Sequence, residues 1–161
     1  MTFVDSTVQW QWSSFDTLSA RQFHDVAALR AEVFVVEQQC IYQDIDGLDC
    51  HAWHLMAWSS VAPDAEQLVA YLRVVLPGHK YDEPSIGRVV TARQWRGKQL
   101  GRKLMRTGID KTLIQYPGSE IRISAQQHLS AFYRSLGFAE SSDPYDEDGI
   151  AHVQMLRSCG D

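Results

Sequence analysis

A chain of 161 residues suggests one domain with room for a sizeable core, and its 45% apolar content is ordinary for a globular protein. A formal net charge of -5 argues against a general nucleic-acid binder, and no apolar run is long enough to span a bilayer. The odd count and irregular spacing of Cys40, Cys50 and Cys159 argue against a disulfide framework, and M-T-F-V-D-S lacks the basic start and apolar stretch of a signal peptide, so the expectation is a soluble, reduced, cytoplasmic protein.

In chain order, V-Q-W-Q-W (Val8 to Trp12) alternates and predicts a short strand. Asp16 or Ser19 would cap the helix that follows, with Phe23, Val26, Ala27, Val33 and Phe34 on one face. The acid-rich run from Gln39 to Cys50 reads as a loop. His54 to Trp58 and Leu68 to Leu76 read as strands joined by a P-D-A-E-Q turn, and Ile86 to Ala92 as a further strand with β-branched residues in its middle. From Gly101 to Tyr116 the apolar residues keep helical register, and Pro117-Gly118 ends that helix. A strand at Ile121 to Ala125 leads to a short helix bearing Leu129, Phe132, Tyr133 and Leu136. Strands at Phe138 to Glu140 and His152 to Arg157, joined by the acidic turn D-P-Y-D-E-D-G, close the chain. Hairpins mixed with crossovers predict an α/β (α+β) domain with a mixed sheet.

The strongest chemical signal is W-R-G-K-Q-L-G-R-K-L, residues 95–104. Gly97 and Gly101 let the backbone bend and come close to a ligand, and a helix follows whose first amides have no partner within it. Arg96, Lys98 and Arg102 add full positive charges, so a diphosphate suits this site. The spacing fits neither a P-loop nor the dinucleotide fingerprint G-x-G-x-x-G. The bland alternative is a solvated, basic helix start.

The run from Ile86 to Leu104 resembles motif A of the GNAT superfamily of acyl-CoA-dependent N-acetyltransferases, in which a strand leads into R/Q-x-x-G-x-G/A. Here Arg96-Gly97-Lys98-Gln99-Leu100-Gly101 matches, with Gln99 where the first glycine usually stands. A-Q-Q-H-L-S-A-F-Y-R-S-L-G-F resembles motif B, which places Tyr133 four residues before Gly137-Phe138. E-V-F-V-V-E-Q-Q-C, Y-Q-D-I-D-G-L-D and D-E-D-G-I-A-H are similar to segments of the ElaA-like branch, so the resemblance runs from about Leu29 to Met155.

The resemblance implies a GNAT-like, mostly antiparallel sheet of six to seven strands with about four helices, residues 1–161 forming a single acyl-CoA N-acyltransferase domain. It implies direct transfer of an acetyl group from acetyl-CoA, as co-substrate, to a primary amine, with Tyr133 as general acid. Val89, Val90 and Thr91 would orient the pantetheine and thioester, and Arg96, Gly97, Lys98, Gln99, Leu100, Gly101, Arg102 and Gln126 would complete the cofactor site. Candidate bases are His54, His152, Glu83 and Glu37, with His54 preferred. The rival reading is a non-catalytic CoA-binding or sensor domain of the same fold.

D-I-D-G-L-D (Asp44 to Asp49) does not make a calcium loop, because its glycine arrives too early and the twelfth place is Leu55. It reads either as a solvated turn or, from the resemblance, as a loop bordering the acceptor pocket whose acids attract an amine. His51 and His54, on opposite faces of a strand, could not share a metal, so no metal is expected. Trp10 and Trp12 read either as core or as a homodimer face.

Overall fold

The computed structural model describes residues 8–62 and 65–160. Its strands are β1 (Val8–Ser14), β2 (Ala52–Ala62), β3 (Ala65–Val75), β4 (Ser85–Thr91), β5 (Ile121–Gln126), β6 (Phe138–Glu140), β7 (Tyr145–Glu147) and β8 (Ile150–Arg157). Its α-helices are α1 (Ala20–Arg30), α2 (Leu100–Gln115) and α3 (Ser130–Arg134). The sheet runs β1-β2-β3-β4-β5-β8-β6, with β7 paired to β8. Every pairing is antiparallel except β4 with β5. This is the mixed, mostly antiparallel fold expected, with eight strands among the described residues and three α-helices.

The added strand is β7, which lies inside the acidic turn. Its two-residue link to β8 has positive φ at both Asp148 (53°) and Gly149 (83°), which Asp-Gly tolerates and a tight hairpin requires. The expected P-D-A-E-Q turn is also shorter than predicted: Ala65, Glu66 and Gln67 belong to β3, while Pro63 and Asp64 lie outside the described residues.

Ser19, rather than Asp16, caps α1, and Ser19 and Gln22 form a reciprocal capping box. A π-helical turn, Ala31–Glu37, carries α1 onward. Val26, Leu29 and Val33 pack it onto Met56, Trp58 and Tyr71 on one sheet face. Leu100, Leu104, Met105 and Ile109 pack α2 onto Leu55, Val69, Leu72 and Val74 on the other. Central β3 is thus covered on both faces, which explains its nearly unbroken apolar run. At Gly108 an added Cβ would stand 2.7 Å from Leu72 Cδ2, so glycine lets α2 sit close to β3. Trp12 stacks on Trp53 at 5.3 Å, and both pack with Trp10 against the core. No helix among the described residues is long and apolar enough to cross a membrane.

Two irregularities shape the middle of the sheet. Tyr71 pairs with Val90 but Arg73 pairs with Gly87, so β4 carries an extra residue and bulges, with Arg88 at φ 52°. The parallel pair β4 and β5 shares one register contact, Ser85 with Arg122. Beyond it the two strands diverge and open a cleft.

Candidate active site

The cleft has a volume of about 770 Å³. Val89, Val90 and Thr91 line one wall and Ile123, Ser124 and Gln126 the other, while Phe34 and Tyr133 close it from the helices. Splayed strands leave facing backbone groups without each other as partners, and an extended ligand chain supplies what is missing.

At the end of β4 the chain makes the turn anticipated from its glycines. Gly97 has φ 76° and Gln99 has φ 63°, and Gln99 caps α2 through its backbone with no side-chain hydrogen bond. The first-turn amides of α2 are therefore left for an anion. A Cβ added at Gly101 meets only Thr91 Oγ1, at 3.7 Å, so the protein's own packing does not demand glycine there. Arg96 lines the cleft, donates from Nε to the Thr91 carbonyl at 3.3 Å, and pairs with Glu37 at 2.8 Å. Lys98 lies over the Trp95 ring at 5.1 Å. Arg102 donates to Ser135 Oγ at 2.9 Å and covers the Phe132 ring, tying α2 to α3. Leu100 points its side chain into the core, so its contribution to a ligand is confined to the backbone. Val89, Val90, Thr91, Arg96, Gln126 and Tyr133 thus share the cleft, whereas Gly97 to Arg102 form the turn beyond it.

Tyr133 is 8% exposed, between Phe132 and Phe138. Burial pushes its phenol up to about 12, so the hydroxyl stays protonated at neutral pH. It has no hydrogen-bond partner among the described residues.

The candidate bases fall in different places. His54 is fully buried and does not line the cleft. Its Nε2 donates to the Asp49 carbonyl at 3.0 Å and its Nδ1 accepts from the Tyr71 hydroxyl at 2.7 Å, a pattern that fixes the neutral ring. Burial holds its pKa below the ordinary histidine value, with the charges of Arg30 and Arg73 adding to the effect against the pull of Asp49. His54, open in the sequence to being either a core histidine or a base facing the pocket, has the surroundings of a core histidine. Glu83 is engaged by Arg122 at 2.9 and 3.0 Å, a bond that pulls its carboxyl below the usual range. Glu37 faces the cleft but holds Arg96.

His152 does line the cleft. Its Nε2 stands 3.2 Å from Glu147 Oε2, and its Nδ1 donates to the Ile150 carbonyl at 2.8 Å. Ser124 donates to Glu147 at 3.4 Å and bonds the Tyr145 hydroxyl. Tyr145 was missed in the sequence, and Glu147 was seen there only as a sequence neighbour of His152, because both sit on β7. The signal available was the Asp148-Gly149 hairpin, which turns Glu147 back against Ile150, two residues before His152.

The D-I-D-G-L-D acids take part in a closed charge ring. Arg30 meets Asp44 at 3.0 Å and Asp49 at 2.7 Å; Arg73 meets Asp49 at 2.9 Å and Asp46 at 2.6 Å; Arg88 meets Asp46 at 3.3 Å and Asp44 at 2.8 Å. Asp44, Asp49, Arg30 and Arg73 are buried. The expectation that these acids attract an amine is corrected: three aspartates face three arginines of the same chain, and their charges cancel.

The family model for the acetyltransferase (GNAT) domain matches residues 21–159. The UPF0039 protein sll0451 of Synechocystis is 46% identical over 149 residues, 92% of this chain and 94% of the relative. Among solved structures, an acyl-CoA N-acyltransferase from Pseudomonas aeruginosa has a TM-score of 0.88 at 37% identity, covering 94% of this chain and 100% of that one. ElaA of Escherichia coli has a TM-score of 0.85 at 35% identity, covering 94% of this chain and 99% of that one.

Proposed function

Since the chain belongs to the GNAT acetyltransferase family, in its ElaA-like branch, and is thus an acyltransferase, we propose that residues 1–161 act as one domain moving an acetyl group from acetyl-CoA to a primary amine by direct transfer. The observation that carries this reading is the continuity of the site. A helix start with no side-chain cap and with cations beside it opens into a splayed-strand cleft that ends at a protonated tyrosine without a hydrogen-bond partner among the described residues.

The residues present fit acetyl-CoA. The Gly97–Arg102 turn, with Arg96, Lys98 and Arg102, suits the diphosphate, and the glycine at 101 is not demanded by the protein's own packing. Arg96 would exchange Glu37 for phosphate oxygens, at small cost because an exposed ion pair is worth about 0–1 kcal/mol. The open edge of β4 at Val89, Val90 and Thr91 suits the pantetheine amides, and Gln126 faces it from β5.

In the reaction the amine nitrogen attacks the thioester carbonyl carbon, a C–N bond forms, and the C–S bond breaks. Tyr133 donates its hydroxyl proton to the departing sulfur and later regains one from solvent. The proton lost by the amine goes to the Glu147–His152 pair, directly or through a water. That pair replaces His54 in the base role because it lines the cleft.

Two measurements test this reading. Acetyl-CoA should raise the thermal midpoint, and Arg96→Glu should remove the rise. Purified protein should release CoA thiol from acetyl-CoA when offered an amine. Tyr133→Phe that left turnover intact would remove Tyr133 from the acid role, and acetyl-CoA binding with no thiol release for any amine would support the non-catalytic CoA-binding alternative instead.

A further inference from the structure

Resting on the transferase reading above, we propose that the acceptor carries a carboxylate as well as its amine, and that Arg88 and Lys80 receive that carboxylate. The acids of the loop are occupied by arginines, so what the cleft offers a ligand on that side is the arginines' remaining donors. Arg88 uses Nη2 on the Asp44 carbonyl and on Asp46, and its Nε lies 2.8 Å from Asp44 Oδ1, off the line of a hydrogen bond. Its Nη1 donates to nothing among the described residues. Arg73, 2% exposed and also lining the cleft, has an Nε with no acceptor. Lys80 lines the same cleft and lies over the Tyr81 ring at 5.4 Å, with no ion pair or hydrogen bond among the described residues.

Arg88 and Lys80, two cations with unused donors lining one cleft, call for an acceptor-only group, and a carboxylate satisfies a guanidinium and an ammonium together. The crowding is visible at Lys80. Loss of solvent draws its ammonium below the ordinary lysine value, Glu147 opposes this, and Arg73 and Arg88 add to it. Arg88 is held for this purpose in left-handed backbone at the β4 bulge, fixed by Asp44 and Asp46, beside Val89 of the cofactor wall. Glu147 and His152 line the same cleft and suit the amine. The two pairs therefore match an amino-carboxylate. A polyamine would bring a second ammonium and no acceptor for the open donors of Arg88 and Lys80.

The test is thiol release from acetyl-CoA with matched acceptors: α- and ω-amino acids, the amide of each, the amine left by removing each carboxyl group, and spermidine. The expected result is that at least one amino acid exceeds its own amide in kcat/KM by about tenfold or more, the scale of one charged hydrogen bond. Lys80→Met, which leaves the Arg–Asp ring intact, should raise KM for that acid more than it lowers kcat and bring the acid-to-amide ratio towards one. Arg88→Met should do the same where it folds. Equal use of acids and amides, preference for spermidine, or an unchanged ratio in Lys80→Met would overturn the proposal while leaving the transferase reading in place. No thiol release with any amine, despite acetyl-CoA binding, would overturn both.

Discussion

Tyr133 is held between two phenylalanines with its hydroxyl unpartnered among the described residues, the arrangement expected of a group that meets its partner only when a ligand is bound. If it protonates the departing thiolate, Tyr133→Phe lowers kcat by about 10²–10⁴-fold. Acetyl-CoA affinity, read by calorimetry, stays close to that of the parent because the ring and its packing are kept. Gln99 makes a different point at this scale. It occupies left-handed backbone, φ 63°, where glycine is usual in the motif it resembles. A non-glycine residue there costs about 1–2 kcal/mol, offset in part by the greater chain entropy of glycine when unfolded. Gln99→Gly is therefore expected to raise stability by about 0.5–1 kcal/mol, seen as a higher urea midpoint with an unchanged slope.

At the scale of elements, the Arg–Asp ring joins α1, the Asp44–Asp49 loop, β3 and β4, and so ties the bulge of β4 to the far side of the sheet. Asp49 is shared by two buried arginines, and removing it leaves Arg30 with Asp44 alone and Arg73 with Asp46 alone, each short of a buried partner. Asp49→Ala is expected to lower stability by about 3–5 kcal/mol in urea unfolding. The Gly97–Arg102 turn and the short helix were legible in the sequence because their signals are local: glycine, cations and helical spacing lie within a few residues of one another. The ring was not, because its members come from residues 30, 44–49, 73 and 88 and meet only after the sheet forms. A partial hint existed in Arg30 and Arg73, cations set on an apolar helix face and in an apolar strand. Such charges need buried partners, and the nearby aspartates were read as solvated or substrate-facing instead. Strand β7 was obscured by its acids, since it pairs at the sheet margin with little apolar burial to betray it.

For the molecule as a whole, acid should loosen the fold in two steps. His54 has a lowered pKa when folded, so the unfolded chain binds its proton first, and stability falls as pH drops below about 6.5. Asp46 follows. Burial alone would raise its carboxyl, but the Arg73 bonds, the charges of Arg73 and Arg88 and the Leu48 amide together hold it below the ordinary value of 3.8. Its contribution is present above that value and is lost as pH falls through the lower folded one. Urea midpoints measured from pH 7.5 downward should decline first in the histidine range, and His54→Gln, weaker throughout, should lack that early slope. The larger claim is that one continuous site runs from the start of α2 to Tyr133 and holds acetyl-CoA. Isothermal calorimetry of acetyl-CoA with cofactor-free protein and with Arg96→Glu tests it most directly. The account predicts saturable binding to the parent and a loss of at least about tenfold in affinity for the variant, one charged contact being worth that much. No heat of binding at millimolar acetyl-CoA, or equal affinity in the two proteins, would contradict it.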